Sequence, residues 1–206
     1  MDLQFYGANT LSLTLKGTRI VIDDNLADLG AKSITKSDDV SLFTGAHGES
    51  KGRIAFDGPG EYEVADVSVV GIAARAHIDE EKTLNATMFK LIAGDLTILI
   101  TGHIYPSLSE AQLEKIGIVD VLVVPVGGNG YTLDPIGALK LIKAVEPKLV
   151  VPTHYADKVL KFPVPQQELS TALSELGMEP RETVSKLKAK AHEFSDVTQL
   201  VVLEKS

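Results

Sequence analysis

Three of the five histidines in this 206-residue chain follow an apolar run that predicts a buried strand. They are His47 after residues 40–43, His103 after residues 96–100, and His154 after residues 149–152. In α/β folds, ligand sites tend to form beyond the carboxyl ends of strands. The positions therefore predict a shared site of imidazole groups, although each histidine taken alone is equally compatible with an exposed loop.

The composition restricts both the ligands and the partners of such a site. The chain has no cysteine, so a metal ion would have to be held by His, Asp or Glu. The net charge of −8 argues against nucleic acid as a partner. Apolar runs such as residues 119–126 are too short to span a bilayer, so no membrane partner is expected. The first residues lack the pattern of a secretory signal, and we expect a cytoplasmic protein.

The elements that must position these histidines fall into two halves. The first half predicts a hairpin of residues 11–15 and 20–22, followed by short strands. These are residues 40–43, 53–56, 62–64, 67–72, 87–92 and 96–100. The second half alternates buried strands (residues 119–126, 149–152 and 199–203) with helices.

Three helices are predicted from their termini. Ser107 and Glu110 form a capping-box pattern before a helix that Gly117 would end. The pair Asp134–Pro135 begins a second helix, which runs to about residue 145, and residues 166–176 form a third. Without a repeat or linker, the sequence predicts one domain over residues 1–206, of class α/β (α+β), with two sheets between helices.

Three segments, in order along the chain, resemble one family. Residues 58–64 are GPGEYEV, residues 119–128 are VDVLVVPVGG, and residues 147–155 are PKLVVPTHY. They resemble the PGEYEV, VDVLLVPVGG and PKIVIPTHY segments of the metallo-β-lactamase-fold hydrolases, in the group that includes ascorbate-6-phosphate lactonase-like proteins. The resemblance covers nearly the whole chain. It implies a four-layer αββα sandwich and hydrolase-like chemistry, and it names no substrate.

The chain departs from this family at the first metal-binding motif. The family's THxHxDH aligns with residues 44–50, which are TGAHGES. His47 is retained and Glu49 replaces the aspartate, while Gly45 and Ser50 carry no imidazole. The usual two-metal site therefore cannot be assembled from this segment.

The second metal-binding segment of the family is altered as well. Its HLGD aligns with residues 100–103, so that Ile100 replaces the histidine and His103 replaces the bridging aspartate. The resemblance then implies that four side chains converge: His47, Glu49, His103 and His154. Three imidazoles and a carboxylate suit one divalent ion, with Zn²⁺ the first candidate, and Glu49 could instead act as a general base.

Two functions remain open at this point. One is a hydrolase of a small phosphorylated, ester or lactone substrate that uses an atypical single Zn²⁺ ion. The other is a metal-free, catalytically inactive relative that serves as a binding or interaction module. In either case we expect a small-molecule ligand in a pocket at the strand ends, and a homo-oligomer is compatible with the sequence. Six further residues are predicted to support or line that pocket: Asp23, Asp24, His77, Gly127, Gly128 and Tyr155.

Overall fold

A computed structural model describes residues 1–206 as a mixed α/β structure. The strands are β1 (Asp2–Gly7), β2 (Thr10–Leu15), β3 (Thr18–Ile22), β4 (Val40–Leu42), β5 (Ile54–Phe56), β6 (Gly60–Val64), β7 (Val67–Ala74), β8 (Ala86–Ala93), β9 (Leu96–Ile100), β10 (Val121–Pro125), β11 (Leu149–Thr153), β12 (Glu182–Val184), β13 (Leu187–Lys188) and β14 (Gln199–Leu203). The helices are α1 (Glu110–Ile116), α2 (Pro135–Val145) and α3 (Leu169–Leu176), with a 3₁₀ turn at Ala191–Glu193. None of the helices is long and apolar enough to cross a membrane.

The strands form two mixed sheets. The six-stranded sheet has the order β13-β1-β2-β3-β4-β5, and the eight-stranded sheet has the order β12-β14-β11-β10-β9-β8-β7-β6. The strands β3, β4 and β5 are parallel to one another, and so are β9, β10 and β11. The carboxyl ends of parallel neighbours lie at the same edge of a sheet, so the loops that follow β3 and β4 lie together, as do those that follow β9 and β11.

Burial of apolar surface holds the sheets together. A cluster of 26 buried residues draws on both sheets, with Leu13 of β2 and Ile98 of β9 among its fully buried members. A second cluster of 21 residues joins the eight-stranded sheet to all three helices. The predicted mixed α/β class with two sheets is thus confirmed. The expected second helical layer of the αββα sandwich is not seen, because all three helices pack on the eight-stranded sheet.

Two predicted helix starts were wrong by two or three residues. Helix α1 is capped by Ser109, whose hydroxyl accepts from the Gln112 N–H, while Gln112 Oε1 accepts from the Ser109 N–H. Ser107 instead closes a tight turn onto the Tyr105 carbonyl. Helix α3 begins at Leu169 because the preceding glutamines, Gln166 and Gln167, bond to loops near β10 and β11.

Candidate functional site

A cavity of about 380 Å³ opens where the two sheets present the carboxyl ends of their parallel strands. Asp23 follows β3 and Thr44 follows β4 in the six-stranded sheet, while His103 follows β9 in the eight-stranded sheet. The other polar and aromatic lining residues include Asn9, His47, His77, Asp79 and Tyr131. The cavity therefore lies at the strand ends, and ligand binding there stays a prediction.

Asp23 is a half-buried carboxylate of the cavity wall. Its Oδ1 accepts from the Thr44 N–H at 2.7 Å, and its Oδ2 accepts from Thr44 Oγ1 at 2.6 Å. Burial raises the pKa of Asp23 to about 6, against the hydrogen bonds from Thr44 and Asn9, which lower it. The carboxylate is therefore ionised at neutral pH but binds a proton more readily than an exposed aspartate does.

Asn9 connects this carboxylate to His103 and was not predicted as a site residue. Thr153 Oγ1 donates to Asn9 Oδ1 at 2.8 Å, which directs the Asn9 Nδ2 group toward the cavity wall. That nitrogen lies 3.2 Å from His103 Nε2 and 3.5 Å from Asp23 Oδ2. The only sequence signal is an Asn between two strands, which is typical of an ordinary turn.

The contact with Asn9 determines where His103 carries its proton. An amide N–H can only donate, so Nε2 of the neutral ring accepts and Nδ1 holds the hydrogen. His103 Nδ1 is buried and has no hydrogen-bond partner. Burial, together with the neighbouring imidazoles of His154 and His77, lowers the pKa of His103 well below 6.5, so the ring is neutral at pH 7. His103, a residue of the cavity wall, thus has a buried N–H donor without a partner.

His154 packs edge-on against His103, with the ring centroids 4.3 Å apart. Its Nδ1 lies 3.1 Å from Gln166 Oε1 and 3.3 Å from Thr132 Oγ1. Burial lowers the pKa of His154 to about 4, against the bond to Gln166, which raises it. Two of the three predicted imidazoles are therefore in direct contact, and both are neutral at pH 7.

Three non-glycine residues at this end of the sandwich adopt left-handed backbone conformations. The φ angles are 48° for Ala8, 45° for Asp23 and 55° for His154. The His154 N–H donates to the Ala8 carbonyl at 2.8 Å, so two of the three stabilise each other directly. Such conformations cost on the order of 1–3 kcal/mol each and concentrate at functional sites.

The other two predicted metal ligands lie apart from this pair. His47 lines the cavity, but its ring stacks on Phe43 with centroids 3.8 Å apart and its Nε2 lies 3.2 Å from Asp57 Oδ2. Glu49 is exposed and faces a neighbouring depression that also contains Asp24. The predicted convergence of His47 and Glu49 with His103 and His154 is not seen.

Of the six residues predicted to support the pocket, only Asp23 and His77 line the cavity. His77 lines the cavity, and its backbone N–H donates to the His103 carbonyl at 2.7 Å. Asp24 lies outside it, where its Oδ2 accepts from Ser33 and Thr35 side chains and from two backbone N–H groups of the loop after β3.

The remaining three predicted pocket residues are not part of the cavity lining. Tyr155 packs on Phe5 in the core and donates to the Leu203 carbonyl, so its placement in the pocket was wrong. Gly127 and Gly128 turn the chain beneath His154. The Gly128 N–H donates to the Leu133 carbonyl and is not free to hold a phosphate.

The side chains around the cavity do not converge on a common centre that could hold a metal ion. A protein site for zinc needs at least three ligand atoms at about 2.0–2.3 Å from one centre. No three His, Asp or Glu side chains are placed to hold an ion together. The arrangement therefore does not fit a bound metal, and the four-ligand zinc site stays a prediction.

The comparisons with known proteins decide the family. The family model described as a beta-lactamase superfamily domain matches residues 2–154. This chain belongs to the β-lactamase superfamily. A crystal structure from Thermotoga maritima, assigned to the Zn-dependent hydrolases of the metallo-β-lactamase superfamily, is similar over 98% of each chain, with a TM-score of 0.75 and 26% identity. The two-sheet sandwich is thus the metallo-β-lactamase fold.

Curated relatives of this superfamily member are named UPF0173 metal-dependent hydrolases. The relative from Carboxydothermus hydrogenoformans is 39% identical over 71 residues, which are 34% of this chain but only 31% of the relative. The relative from Aeropyrum pernix is 23% identical over 79% of this chain and 84% of its own length. These names support a metal-dependent hydrolase-like family in general. They do not confirm zinc or the narrower resemblance to ascorbate-6-phosphate lactonase-like proteins.

Proposed function

We propose that this superfamily member hydrolyses a small ester, lactone or phosphorylated substrate bound in the cavity. The observation that carries the proposal is the arrangement around Asn9, whose single amide contacts both the Asp23 carboxylate and the His103 ring. The unpaired His103 N–H and the left-handed backbone at Asp23 and His154 add support, because unsatisfied donors and strained residues are costly unless they serve a ligand.

The chemistry follows from these two side chains. Asp23 would accept a proton from a bound water while the water oxygen forms a bond to the substrate's carbonyl or phosphoryl centre. On substrate binding, the His103 Nδ1–H, which is buried in the free protein, would become accessible and donate to the substrate oxygen on which negative charge develops. The proton held by Asp23 would then pass to the leaving oxygen, which restores the carboxylate. Asn9 would act as a positioning residue through its contacts with both groups.

An activity screen tests this proposal. We expect turnover of at least one of a panel of nitrophenyl esters, lactones and nitrophenyl phosphate. Asp23→Asn should lower kcat by about 100-fold or more, as expected for loss of a general base. His103→Ala should lower kcat by a similar factor, because a donor to the developing oxyanion is removed.

The control for this screen is His192→Ala, since His192 is exposed and does not line the cavity. Full activity is expected in that variant. A folded protein that turns over none of these substrates, or whose activity is unchanged by Asp23→Asn and His103→Ala, would contradict the proposal. Inactivity on every substrate would favour the metal-free binding module instead.

The predicted zinc site is tested separately by elemental analysis. The protein is exposed to zinc, manganese or iron, desalted, and its metal content is measured. About one retained ion per chain, lost in both His103→Ala and His154→Ala, would support the four-ligand prediction. Retained metal in those variants would place any ion elsewhere, and no retained metal would match the present arrangement of side chains.

A further inference from the structure

The charges of the cavity wall are unfavourable for an anionic ligand. No lysine or arginine lines the cavity, and its two ionisable carboxylates are Asp23 and Asp79. Asp79 Oδ2 is buried and has no hydrogen-bond partner. The nearby Arg75 donates its Nε to the Asp79 backbone carbonyl and lies 4.0 Å from the centre of the Tyr105 ring, so it is not part of the wall. Lysine and arginine are the side chains that most often bind phosphate groups in proteins, and neither is present in this wall.

The mouth of the cavity is apolar. Ile78 is 62% exposed and Tyr131 is 59% exposed, and both line the cavity although they belong to different loops. Phe43 and Ala46 extend this apolar lining. Single exposed apolar side chains are common, but two large ones from separate loops around one cavity indicate a surface that an apolar ligand group would cover.

We propose that the cavity takes an uncharged ester-type substrate with an apolar group, which packs against Ile78 and Tyr131, and that it excludes phosphorylated substrates. A dianionic phosphoryl group would lie close to two carboxylates without a lysine or arginine to offset its charge, which lowers affinity by on the order of 100-fold. The ligand class rests on the wall itself. That this ligand is also hydrolysed rests on the function proposed above.

The test compares two ligands that share a phenyl ring and are not hydrolysed. Butyranilide is neutral with an apolar chain, and phenylphosphonate is anionic. Amide chemical shifts of the isotope-labelled full chain are followed during each titration. We expect butyranilide to shift resonances of cavity residues and to bind at least 10-fold more tightly than phenylphosphonate.

Matched variants identify the mouth as the binding surface. Ile78→Ser and Tyr131→Ser should each weaken butyranilide binding about fivefold, because an apolar contact is lost. Ile118→Ser is the control, since Ile118 is 83% exposed but does not line the cavity, and its affinity should be unchanged. Asp79→Lys should raise the affinity for phenylphosphonate by about 10-fold or more.

Three outcomes would overturn this inference. They are phenylphosphonate binding as tightly as butyranilide, equal affinities in the mouth variants and the control, and no shift of cavity resonances by either ligand. If butyranilide binds as expected but no ester is turned over, the hydrolase proposal fails while the ligand class stands. If only nitrophenyl phosphate is turned over, the hydrolase proposal stands and the ligand class is wrong.

Discussion

At the scale of single residues, the site depends on one amide. Asn9 is 6% exposed, and it joins Thr153, the last residue of β11, to His103 and Asp23, which follow strands of different sheets. A buried amide with such contacts cannot be removed without leaving other polar groups unpaired. Its importance therefore comes from geometry, because nothing in its own chemistry makes it reactive.

Replacing this amide should affect both stability and activity. We expect Asn9→Ala to lower the free energy of unfolding by about 1–3 kcal/mol, because Thr153 and His103 lose a buried partner. Any esterase activity should fall as well, since Asp23 and His103 are no longer held together. Urea denaturation measures the first effect. Asn85→Ala is the control, because Asn85 lines the same cavity but is exposed, and a change beyond about 0.5 kcal/mol there would contradict the argument.

The raised pKa of Asp23 should make the free energy of unfolding depend on pH. Because burial raises this pKa from 3.8 to about 6, the folded protein holds the proton more strongly than the unfolded chain does. The stabilisation is complete below pH 4 and is lost as the pH rises through 6, a change of about 3 kcal/mol. Asp23→Asn removes this titration.

The measurement is the difference in unfolding free energy between the natural protein and Asp23→Asn, by urea denaturation from pH 4 to pH 7. Over that range, the natural protein should lose about 2 kcal/mol of stability relative to Asp23→Asn, because the unfolded carboxyl is already more than half ionised at pH 4. His103 and His154 titrate in the opposite sense, but both proteins contain them and their effect cancels. A flat difference for Asp23→Asn would mean that its pKa is not raised.

At the scale of elements, close approach of loops places the histidines. Gly127 follows β10 and His154 follows the neighbouring parallel strand β11. A Cβ atom at Gly127 would lie 2.0 Å from the His154 carbonyl oxygen and 2.2 Å from Gln166 Oε1. Only glycine allows the two loops to approach in this way, so this position supports the ring of His154 without lining the cavity.

A single methyl group tests that role. Gly127→Ala should lower the free energy of unfolding by about 1–3 kcal/mol, because backbone atoms of the next loop must move. It should also shift the NMR signals of the His154 ring. Gly58→Ala is the control, since a Cβ there meets no atom within 4 Å. Equal effects of the two substitutions in urea denaturation would show that the approach of the loops is unimportant.

At the scale of the whole molecule, the cavity exists only while the two sheets are packed together. Asp23 and Thr44 follow strands of the six-stranded sheet, whereas His103 and His154 follow strands of the eight-stranded sheet. The 26-residue apolar cluster between the sheets fixes the positions of these two sets of residues relative to each other. Stability of the core and integrity of the site are therefore coupled.

Packing of the apolar cluster should contribute strongly to the stability of the protein. Leu13 is fully buried in this cluster, and Leu13→Ala should lower the free energy of unfolding by about 2–5 kcal/mol through lost burial and the cavity left behind. Ile118→Ala is the control, because Ile118 is 83% exposed, and it should change stability by less than about 0.5 kcal/mol. Guanidinium denaturation measures both. A small effect at Leu13 would mean that the sheets are not held by this cluster.

The fold could be predicted because its signals are local. The continuous apolar runs around Val123 and Val151 and the alternation in residues 11–15 mark strands by their own period, and the histidines that follow strands were located in the same way. Helix termini were less accurate. Ser107 and Ser109 both satisfy a capping pattern, and only the packed structure selects between them.

The membership of the site was decided by tertiary structure. That His103 meets His154 while His47 turns to Asp57 depends on the loops beyond the strand ends, and left-handed residues such as His154 redirect those loops. Asn9 reaches its partners from a turn that is distant from them in sequence. The sequence by itself determines which side chains lie near the strand ends, because periodicity is a local property. Which of them touch depends on backbone angles and packing that no local pattern specifies.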